Sequence, residues 1–343
     1  MINKKLFLFI LVIILSSSIL LYTQKKNSLI GIALYRYDDD YTKYLKQYLE
    51  KNARNNFSLL MVDSYNSQAT QNAQIDMFLK KNVNIVAVNL VDKNQAQKII
   101  DKVSINDIPL IFFDREPDFD SMKTYDKVWY IGGKSDEAGI AQGRLIAESW
   151  RERLNWDKNE DGKIQCIIIK GDTNDRDTIN RTEYMKKYIA SNNIKLDILA
   201  EVSAMGKRDL AMGTVEQLFI KYGKKIEYII CNNDYMALGA LDALKKYGFN
   251  NSSRMLNYIP IVGIDGILEC LYEIKNYGIF ATVLQNPSVQ TQALCAVSRN
   301  ILNGKAPLDG THFNFDNNKY ISIPYIPVTA SNLERVIGIY NSK

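Results

Sequence analysis

The sequence predicts an α/β fold with two doubly wound, mostly parallel sheets in tandem, and three observations support this prediction. From residue 28 onward, short β-branched runs alternate with segments of helical periodicity. Such alternation is typical of right-handed crossovers and a parallel sheet. The pattern restarts after Gly132 and Gly133, and 343 residues with 46% hydrophobic content are enough to bury two domain-sized cores.

The first half of the pattern contains alternating strands and helices. Strands are predicted at 29–34, 58–62, 83–88, 110–113 and 128–131, and helices at 41–52, 68–80 and 93–103. The second half repeats this order. Its strands are predicted at 167–170, 196–202, 228–231, 261–264 and 281–284, with helices at 136–151, 178–190, 210–222, 236–247 and 266–276. Each half is therefore expected to form its own sheet.

Charge and cysteine content exclude several classes of protein. The formal net charge of +5 is mild, and Lys and Arg are interspersed with acids, so no nucleic acid partner is expected. The cysteines lie far apart, without the spacing of a zinc site or a disulfide framework: Cys166, Cys231, Cys270 and Cys295. Buried free thiols are expected.

Residues 1–27 are predicted to direct export. Lys4 and Lys5 precede an apolar run that continues, with three serines, to Tyr22. The run is at the lower limit for a membrane span, and a clean cleavage pattern is absent. Both a removed signal peptide and a retained N-terminal membrane anchor remain open, and the rest of the chain is expected at a periplasmic or cell-surface location.

The segment 157–165 has the pattern of a calcium loop. Oxygen ligands are expected from the side chains of Asp157, Asn159, Asp161 and Gln165 and from the carbonyl of Lys163. Gly162 permits the sharp turn. A β-branched run follows the loop, so it is predicted to join a helix to a strand, and a bidentate carboxylate must come from elsewhere. The alternative is an ordinary polar turn.

Polar side chains follow the predicted strands at the edge where open α/β sheets bind ligands. They are Asp39 and Tyr41, Asp114 and Arg115, Asp177 and Arg181, Asn233 and Asp234, Asp265, and Gln285. No glycine-rich phosphate loop follows the first strand, so no nucleotide is expected. No nucleophile is paired with a base, and the single histidine, His312, lies elsewhere, so an enzyme is not expected. Carboxylate, amide and guanidinium planes are suited to sugar hydroxyls.

Several motifs along the chain match those of a known family. They are the first strand with Tyr37-Asp38-Asp39, the run 89–92, Phe112-Phe113 with Glu116-Pro117, the loop 156–165, Asn232-Asn233-Asp234, Gly263-Ile264-Asp265 and Thr282-Val283-Leu284. In these motifs, from about residue 29 to 333, the chain resembles the galactose/glucose-binding proteins of the type I periplasmic binding protein family, the sugar receptors of ABC importers. The resemblance implies two lobes joined by three hinge strands, with a monosaccharide bound in the cleft and no catalysis.

The resemblance also implies roles for single residues. Glu227 occupies the position of the bidentate calcium ligand, and the calcium would be structural. Sugar ligands identical to the family's are Asp39, Asp177, Arg181, Asn233 and Asp265, and Tyr41 replaces a stacking phenylalanine. Four positions differ from the family. Asp114 and Gln285 each replace an asparagine, Asp175 replaces a histidine, and Gly206 replaces the tryptophan of the second stacking ring. A monosaccharide other than glucose, or a weakly bound sugar, is therefore expected.

Each candidate also has a purely structural interpretation. Asp40 is expected to cap the helix 41–52. Asp177 and Asp265 could each cap the helix that follows, and Arg181 could pair with Asp177 or Asp175. Trp156 is expected in the core.

The resemblance implies lobes of 28–131 with 286–320 and of 132–285 with 321–343. The first functional interpretation is a monomeric receptor that closes on its sugar and delivers it to an ABC permease. The alternative is a membrane-anchored sugar-sensing co-receptor for a histidine kinase or a chemoreceptor.

Overall fold

A computed structural model describes residues 28–54, 56–251, 257–316 and 319–341, which form two compact units. Unit 1 comprises the described residues up to Gly132 together with Pro287–Ser322. Unit 2 comprises Gly133–Asn286 and the described residues from Ile323 onward. The predicted targeting segment 1–27 lies outside the described residues. Within the described ranges, no helix has both the length and the apolar character needed to span a membrane.

Unit 1 is built on a six-stranded parallel sheet. The strands are β1 (Leu29–Leu34), β2 (Ser58–Asp63), β3 (Ile85–Val88), β4 (Leu110–Phe113), β5 (Val128–Gly132) and, from the C-terminal part, β11 (Tyr320–Ser322). Their order across the sheet is β11-β5-β4-β3-β1-β2. The helices are α1 (Asp40–Ala53), α2 (Gln68–Lys80), α3 (Ala96–Ile105), α4 (Phe119–Met122) and α10 (Pro287–Leu302). Four-residue runs such as Ile85–Val88 are buried throughout, as expected for a parallel strand covered on both faces.

Unit 2 contains a four-stranded parallel sheet in the order β7-β6-β8-β9. Its strands are β6 (Lys163–Lys170), β7 (Lys195–Ser203), β8 (Tyr228–Cys231) and β9 (Ile261–Val262). A further strand, β10 (Thr282–Leu284), pairs antiparallel with β12 (Ile326–Val328), and parallel bridges connect its region to Val262 and Asp265. The helices are α5 (Ser135–Glu152), α6 (Arg176–Ser191), α7 (Arg208–Tyr222), α8 (Asp234–Lys246), α9 (Leu268–Lys275) and α11 (Leu333–Asn341).

The cysteines are free and buried, as predicted. Burial raises the pKa of Cys166 and of Cys295 to about 12, and it raises those of Cys231 and Cys270 as well. Trp156, also buried, packs edge-on against Tyr228 and Phe280 in the core of unit 2, which confirms its predicted place.

Two local predictions, on strand β6 and helix α1, were wrong, and one structural alternative, on helix α6, does not hold. Strand β6 begins at Lys163 and not at residue 167, because Lys163 and Gln165 pair with β7 although they are polar. Helix α1 is capped by Asp39 and not by Asp40, since the Asp39 side chain accepts a hydrogen bond from the backbone N of Thr42. Helix α6 is capped by Asp175 and not by Asp177, since the Asp175 carboxylate accepts from the Asp177 N.

Candidate functional site

In unit 1, two of the predicted residues lie at the start of α1, after the short loop that follows β1. Asp39 holds the first turn through Oδ1, which accepts from the backbone N of Thr42 at 2.9 Å and from its Oγ1 at 3.1 Å. Its Oδ2 lies 3.3 Å from Nη2 of Arg36. Tyr41, one residue into the helix, is buried, and its hydroxyl donates to Oε1 of Gln290 on α10 at 2.8 Å. The strand end therefore fixes a carboxylate and an aromatic ring close together in sequence.

The third predicted residue of unit 1, Asp114, follows β4 directly. Its backbone has φ of 64°, a left-handed conformation that is uncommon for a residue other than glycine. Two bonds support this conformation: its carbonyl accepts from the Tyr130 hydroxyl at 2.7 Å, and its Oδ2 accepts from Nδ2 of Asn89 at 3.0 Å. Strain of this kind is found where a loop must present a side chain at a fixed place.

An aromatic residue at this edge, Tyr35, was not predicted. The guanidinium Cζ atoms of Arg36 and Arg115 lie 5.2 and 5.0 Å from its ring centroid. Burial, with the charge of Asp39, raises the pKa of Tyr35 well above its usual value. A tyrosine directly after the first strand, with one Arg next to it and another after the fourth strand of the same sheet, was the available signal.

In unit 2, the predicted residues Asp175, Asp177 and Arg181 lie at the N-cap and in the first two turns of helix α6. The helix is held close to α5: a Cβ added at Gly139 would lie 2.6 Å from the backbone O of Arg181. Asn180 also donates to Oγ of Ser135 at 2.9 Å. Close packing against α5 thus fixes the position of α6. The candidate side chains in its first turns are therefore held by a rigid helix.

Arg181 is the most constrained of the predicted residues. Its side chain is 13% exposed, and Nη1 donates to the carbonyl of Asn232 at 2.8 Å and lies 3.4 Å from Oδ1 of Asp265. Its Nε is buried and has no hydrogen-bond partner in the described part of the chain. Burial by itself would lower the pKa of Arg181, but the charges of Asp265 and Asp177 outweigh burial and the pKa is raised. The guanidinium is therefore always charged.

The structural alternatives for Arg181 and Asp265 can now be compared with the observed contacts. The ion pair of Arg181 that falls within 4 Å is with Asp265 on another loop, and not with a residue of its own helix. Asp265 does not cap α9, because that helix begins at Leu268 with Ile267 as its N-cap residue and no side-chain cap bond. The backbone N of Asp265 instead donates to the carbonyl of Val283, and the φ of Asp265 is 123°.

The remaining predicted residues of unit 2 lie beyond β8 and β10. Asn233 caps α8 through Oδ1, which accepts from the Met236 N at 2.9 Å, and its Nδ2 donates to the Gly206 carbonyl at 3.5 Å. Gly206 itself has φ of +72°, and a Cβ there would approach Nδ2 of Asn233 at 3.6 Å. Gln285 is buried, and its backbone N donates to the Asp265 carbonyl at 3.0 Å.

Asp234, next to Asn233, is a buried acid with several donors. Its carboxylate accepts from Thr282 Oγ1 and from the backbone N of Ile267. Burial raises its pKa to about 6, although these hydrogen bonds act in the opposite direction. Asp234 was among the polar side chains predicted at this edge, but its carboxylate connects α8 with the loop after β9 and with β10, so it supports the neighbouring candidates.

The loop 157–165 folds so that its side-chain oxygens accept from its own backbone. Asp157 accepts from the N of Asp161 and of Gly162, at 3.2 and 2.8 Å, and Asn159 accepts from the Asp161 N at 3.2 Å. Asp161 accepts from the Lys163 N at 2.8 Å and from Gln165 Nε2 at 2.9 Å. Glu160, with φ of 57°, and Gly162, with φ of 72°, make the sharp turn.

Glu227, far away in sequence, joins this loop. Its Oε1 accepts from the Lys158 N at 2.6 Å and its Oε2 from the Gln165 N at 3.1 Å. Burial raises the pKa of Glu227. Oε1 of Gln165 is buried without a hydrogen-bond partner among the described residues. Across the described ranges, no three His, Cys, Asp or Glu side chains lie close enough together to hold a metal ion by themselves.

Comparison with known proteins identifies the family. A family profile described as a periplasmic binding protein domain matches residues 30–306. The chain belongs to the periplasmic binding protein family. A relative, the D-galactose/methyl-galactoside binding periplasmic protein MglB of Haemophilus influenzae, is 34% identical over 307 residues, which are 89% of this chain and 90% of the relative.

Solved structures agree with this membership. An ABC transporter solute binding protein from Bacillus halodurans, with bound myo-inositol, has a TM-score of 0.75 at 25% identity and covers 92% of this chain and 99% of its own. The fructose binding periplasmic domain of a hybrid two component system has a TM-score of 0.72 at 19% identity, over 92% of this chain and 95% of its own. The predicted fold class is confirmed.

This periplasmic binding protein is therefore a member of the sugar-binding receptors associated with ABC transporters. Its relatives bind solutes and are not enzymes, which confirms the prediction that the protein has no catalytic function. Membership of the family also places it outside the cytoplasm.

Proposed function

We propose that this receptor binds a monosaccharide, or a cyclic polyol of similar size, and delivers it to an ABC permease. The proposed ligand contacts are Asp39, Tyr41 and Asp114 from unit 1, and Asp175, Asp177, Arg181, Asn233, Asp265 and Gln285 from unit 2. One observation supports the proposal above all. Arg181 is charged and nearly buried, and Asn232 and Asp265 fix its side chain, so its hydrogen-bond donors are preorganised. Because Asp265 already pairs with the charge of Arg181, the ligand need not be an anion.

The types of side chain at these positions are suited to hydroxyl groups. A carboxylate accepts a hydrogen bond from a hydroxyl, while an amide NH₂ or a guanidinium donates one to the same oxygen. Asp39, Asn233 and Arg181 supply one group of each kind, and each is held by backbone or side-chain partners. A neutral polyhydroxyl ligand can satisfy all of them without leaving a buried charge unpaired.

The ligand preference is proposed to differ from that of a glucose receptor with two stacking rings. Position 206 carries no side chain, and its φ of +72° is one that a tryptophan would adopt only with strain. In this loop conformation the second aromatic surface is therefore absent. Relatives bind varied solutes: MglB is described as binding galactose and methyl-galactoside, and the Bacillus halodurans protein contains myo-inositol.

A ligand panel tests this proposal. Purified protein would be titrated calorimetrically with galactose, glucose, ribose, allose, xylitol and myo-inositol. We expect at least one ligand to bind with a Kd in the micromolar range or below, and glucose to bind more weakly than that ligand. Binding should raise the melting temperature as well, because the ligand binds only the native state. Tight glucose binding would contradict the proposed preference, and no binding across a wider sugar screen would contradict the function.

A second candidate function is sensing. One fold neighbour is the sugar-binding part of a hybrid two component system, so this fold also serves receptors that signal. In that case the ligand-bound protein would bind the extracytoplasmic part of a histidine kinase or a chemoreceptor. Genes for a permease and an ATPase beside this gene would support transport, whereas genes for a kinase and a response regulator would support sensing.

We also propose that the loop 157–165 binds a structural calcium ion with Glu227. The ligands would be the side chains of Asp157, Asn159, Asp161, Gln165 and Glu227 and the carbonyl of Lys163. The buried Gln165 Oε1, which has no described hydrogen-bond partner, fits this proposal because a cation would satisfy it. Amide and carbonyl oxygens complete the set, so it does not depend on acids alone. The ion would tie the start of β6 to the residue before β8.

Chelation tests the calcium proposal. Adding EGTA should lower the unfolding free energy by about 3 kcal/mol when calcium had been present at about 100 times its Kd. Hydrogen exchange should increase in residues 157–170 and leave the sheet of unit 1 unchanged. Gln165→Leu, which removes the buried acceptor, should reduce the response to EGTA. A melting curve that EGTA leaves unchanged would contradict the proposal.

A further inference from the structure

The loops after β1 and β4 in unit 1 both reach one aromatic side chain. The ring centroid of Tyr35 is 5.2 Å from the guanidinium of Arg36 and 5.0 Å from that of Arg115. At such distances a cation is attracted to the face of an aromatic ring, and the attraction grows when water is excluded. Arg36 belongs to the loop of Asp39, and Arg115 directly follows Asp114. The ring therefore connects the two loops that carry the proposed carboxylates.

Arg36 contacts both the Tyr35 ring and the carboxylate of Asp39. Its Nη2 lies 3.3 Å from Asp39 Oδ2, and its Nε lies 3.5 Å from Asp38 Oδ1. The other oxygen of Asp39 is held by Thr42, which donates from both its backbone and its hydroxyl. The carboxylate is thus held at both oxygens. The side chains of Arg36 and Asp39 are 19% and 17% exposed, so water competes little for this pair.

Asp114 is fixed just as firmly on the other loop. Its left-handed backbone is supported by the Tyr130 hydroxyl, and its carboxylate accepts from Asn89 Nδ2. Neither bond involves the β1 loop. The contact of Arg115 with the Tyr35 ring is therefore a feature that links the position of Asp114 to that of Asp39.

We propose that Tyr35 and Arg36 are positioning residues for sugar recognition: they hold the carboxylates of Asp39 and Asp114 at a fixed spacing, and this spacing decides which hydroxyls unit 1 accepts. The inference rests on the proposed sugar-binding function. Neither residue needs to touch the ligand. A carboxylate discriminates between epimers only while its orientation is fixed, since a mobile carboxylate can follow a hydroxyl that has moved.

Four substitutions separate the parts of this link. Arg36→Gln removes the charge, whereas Arg36→Lys keeps the charge but loses the planar fork. Tyr35→Phe keeps the ring, whereas Tyr35→Leu removes it. Lys123→Gln is a matched control in unit 1, because Lys123 forms an exposed ion pair with Asp120. Each variant would be titrated with the best ligand of the wild-type protein and with epimers that differ from it at one hydroxyl.

We expect Arg36→Gln and Tyr35→Leu to bind the best ligand about 10-fold more weakly, within the range of a lost cation–π contact or ion pair, and to lose most of their discrimination between epimers. Tyr35→Phe and Lys123→Gln should keep the wild-type ratio of affinities, and Arg36→Lys should fall between. Urea unfolding would verify that each variant is folded. If Arg36→Gln does not fold, Tyr35→Leu and Arg36→Lys decide the question.

One result would overturn the inference alone, namely a wild-type epimer ratio in both Arg36→Gln and Tyr35→Leu. This holds even if both variants bind every epimer more weakly, because an equal loss of affinity would indicate a general structural role and no part in selectivity. A wild-type protein that binds no sugar would overturn the proposed function together with this inference, and that result is distinct from an unchanged ratio.

Discussion

The two units present their proposed ligand groups in different ways, although both use the carboxyl edge of a parallel sheet. In unit 1 the carboxylate of Asp39 is held by Arg36 of its own loop and by Thr42 of α1, and the carboxylate of Asp114 is held by Asn89 of another loop. In unit 2 the central group is the guanidinium of Arg181, which donates to a backbone carbonyl and pairs with Asp265 inside the protein. The central ligand group of unit 2 is therefore part of the fold, whereas we expect Asp39 of unit 1 to tolerate substitution at a smaller cost to stability.

The largest expected effect tests this contrast directly. Arg181→Met should lower the unfolding free energy by about 3 kcal/mol or more, because Asp265 is left as a poorly compensated, largely buried charge, and it should abolish binding. Asp39→Asn should also abolish binding, yet lower the unfolding free energy by only about 1–2 kcal/mol, because asparagine still caps α1 and Arg36 keeps its contact with Asp38. Urea unfolding measures the unfolding free energy of each variant, and calorimetry measures its ligand affinity.

The control for this comparison is Arg208→Gln. Arg208 pairs with Asp242 and Glu269 at the surface of unit 2, with its side chain 30% exposed. Its removal should cost about 1 kcal/mol and leave binding unchanged. Equal losses of stability in Arg181→Met and Asp39→Asn would show that the units do not differ in the way described.

An intermediate effect is expected from pH, and it should arise in unit 2. Burial raises the pKa of Asp234 to about 6, above its value of roughly 4 in an unfolded chain. A raised carboxyl pKa stabilises the native state fully below the unfolded pKa, and this contribution is lost as the pH rises through 6. From pH 4 to pH 7 the wild-type protein should therefore lose about 2 kcal/mol more stability than Asp234→Asn does.

The measurement is urea unfolding at several pH values. Asp107→Asn serves as the control, because Asp107 lies at the surface of unit 1 and pairs with the exposed Lys127. The stability of this control should follow the wild-type curve. An Asp234→Asn curve parallel to that of the wild type would contradict the raised pKa.

Most of the fold could be predicted from the sequence because parallel strands covered on both faces leave uninterrupted apolar runs. The buried strands β4 and β8 were predicted with the bounds that the structure has. The start of β6 was missed for the same reason. Lys163 and Gln165 pair with β7, but as polar residues they interrupt the apolar run by which a buried strand is recognised.

The candidate residues were predicted from their place after strands, but their contacts were not. Helix caps are ambiguous where acids are adjacent, so Asp40 was chosen over Asp39, although only the Asp39 side chain accepts from the Thr42 N. The proposed role of Tyr35 depends on Arg115, which is 80 residues further along the chain. A contact between two separate loops leaves no periodic signal in a single sequence.

The smallest expected effects concern two glycines of unit 2. Gly206→Ala should lower the unfolding free energy by about 1–2 kcal/mol, because alanine is disfavoured at the φ of +72° that Gly206 adopts. Gly213 lies inside α7 with open space around its Cβ position. Gly213→Ala should therefore raise the unfolding free energy by up to about 1 kcal/mol. Thermal unfolding of both variants checks these signs. A stabilising Gly206→Ala would show that the loop adopts another conformation, in which a ring could return.

The buried thiols have a practical consequence for following this receptor at work. Burial keeps Cys166, Cys231, Cys270 and Cys295 protonated and inaccessible, so alkylating dyes should not label the native protein. One cysteine introduced beside Asn233 or Asp39 would then be the single labelling position. A fluorophore attached there could report ligand capture in solution, without any need to delete native residues first.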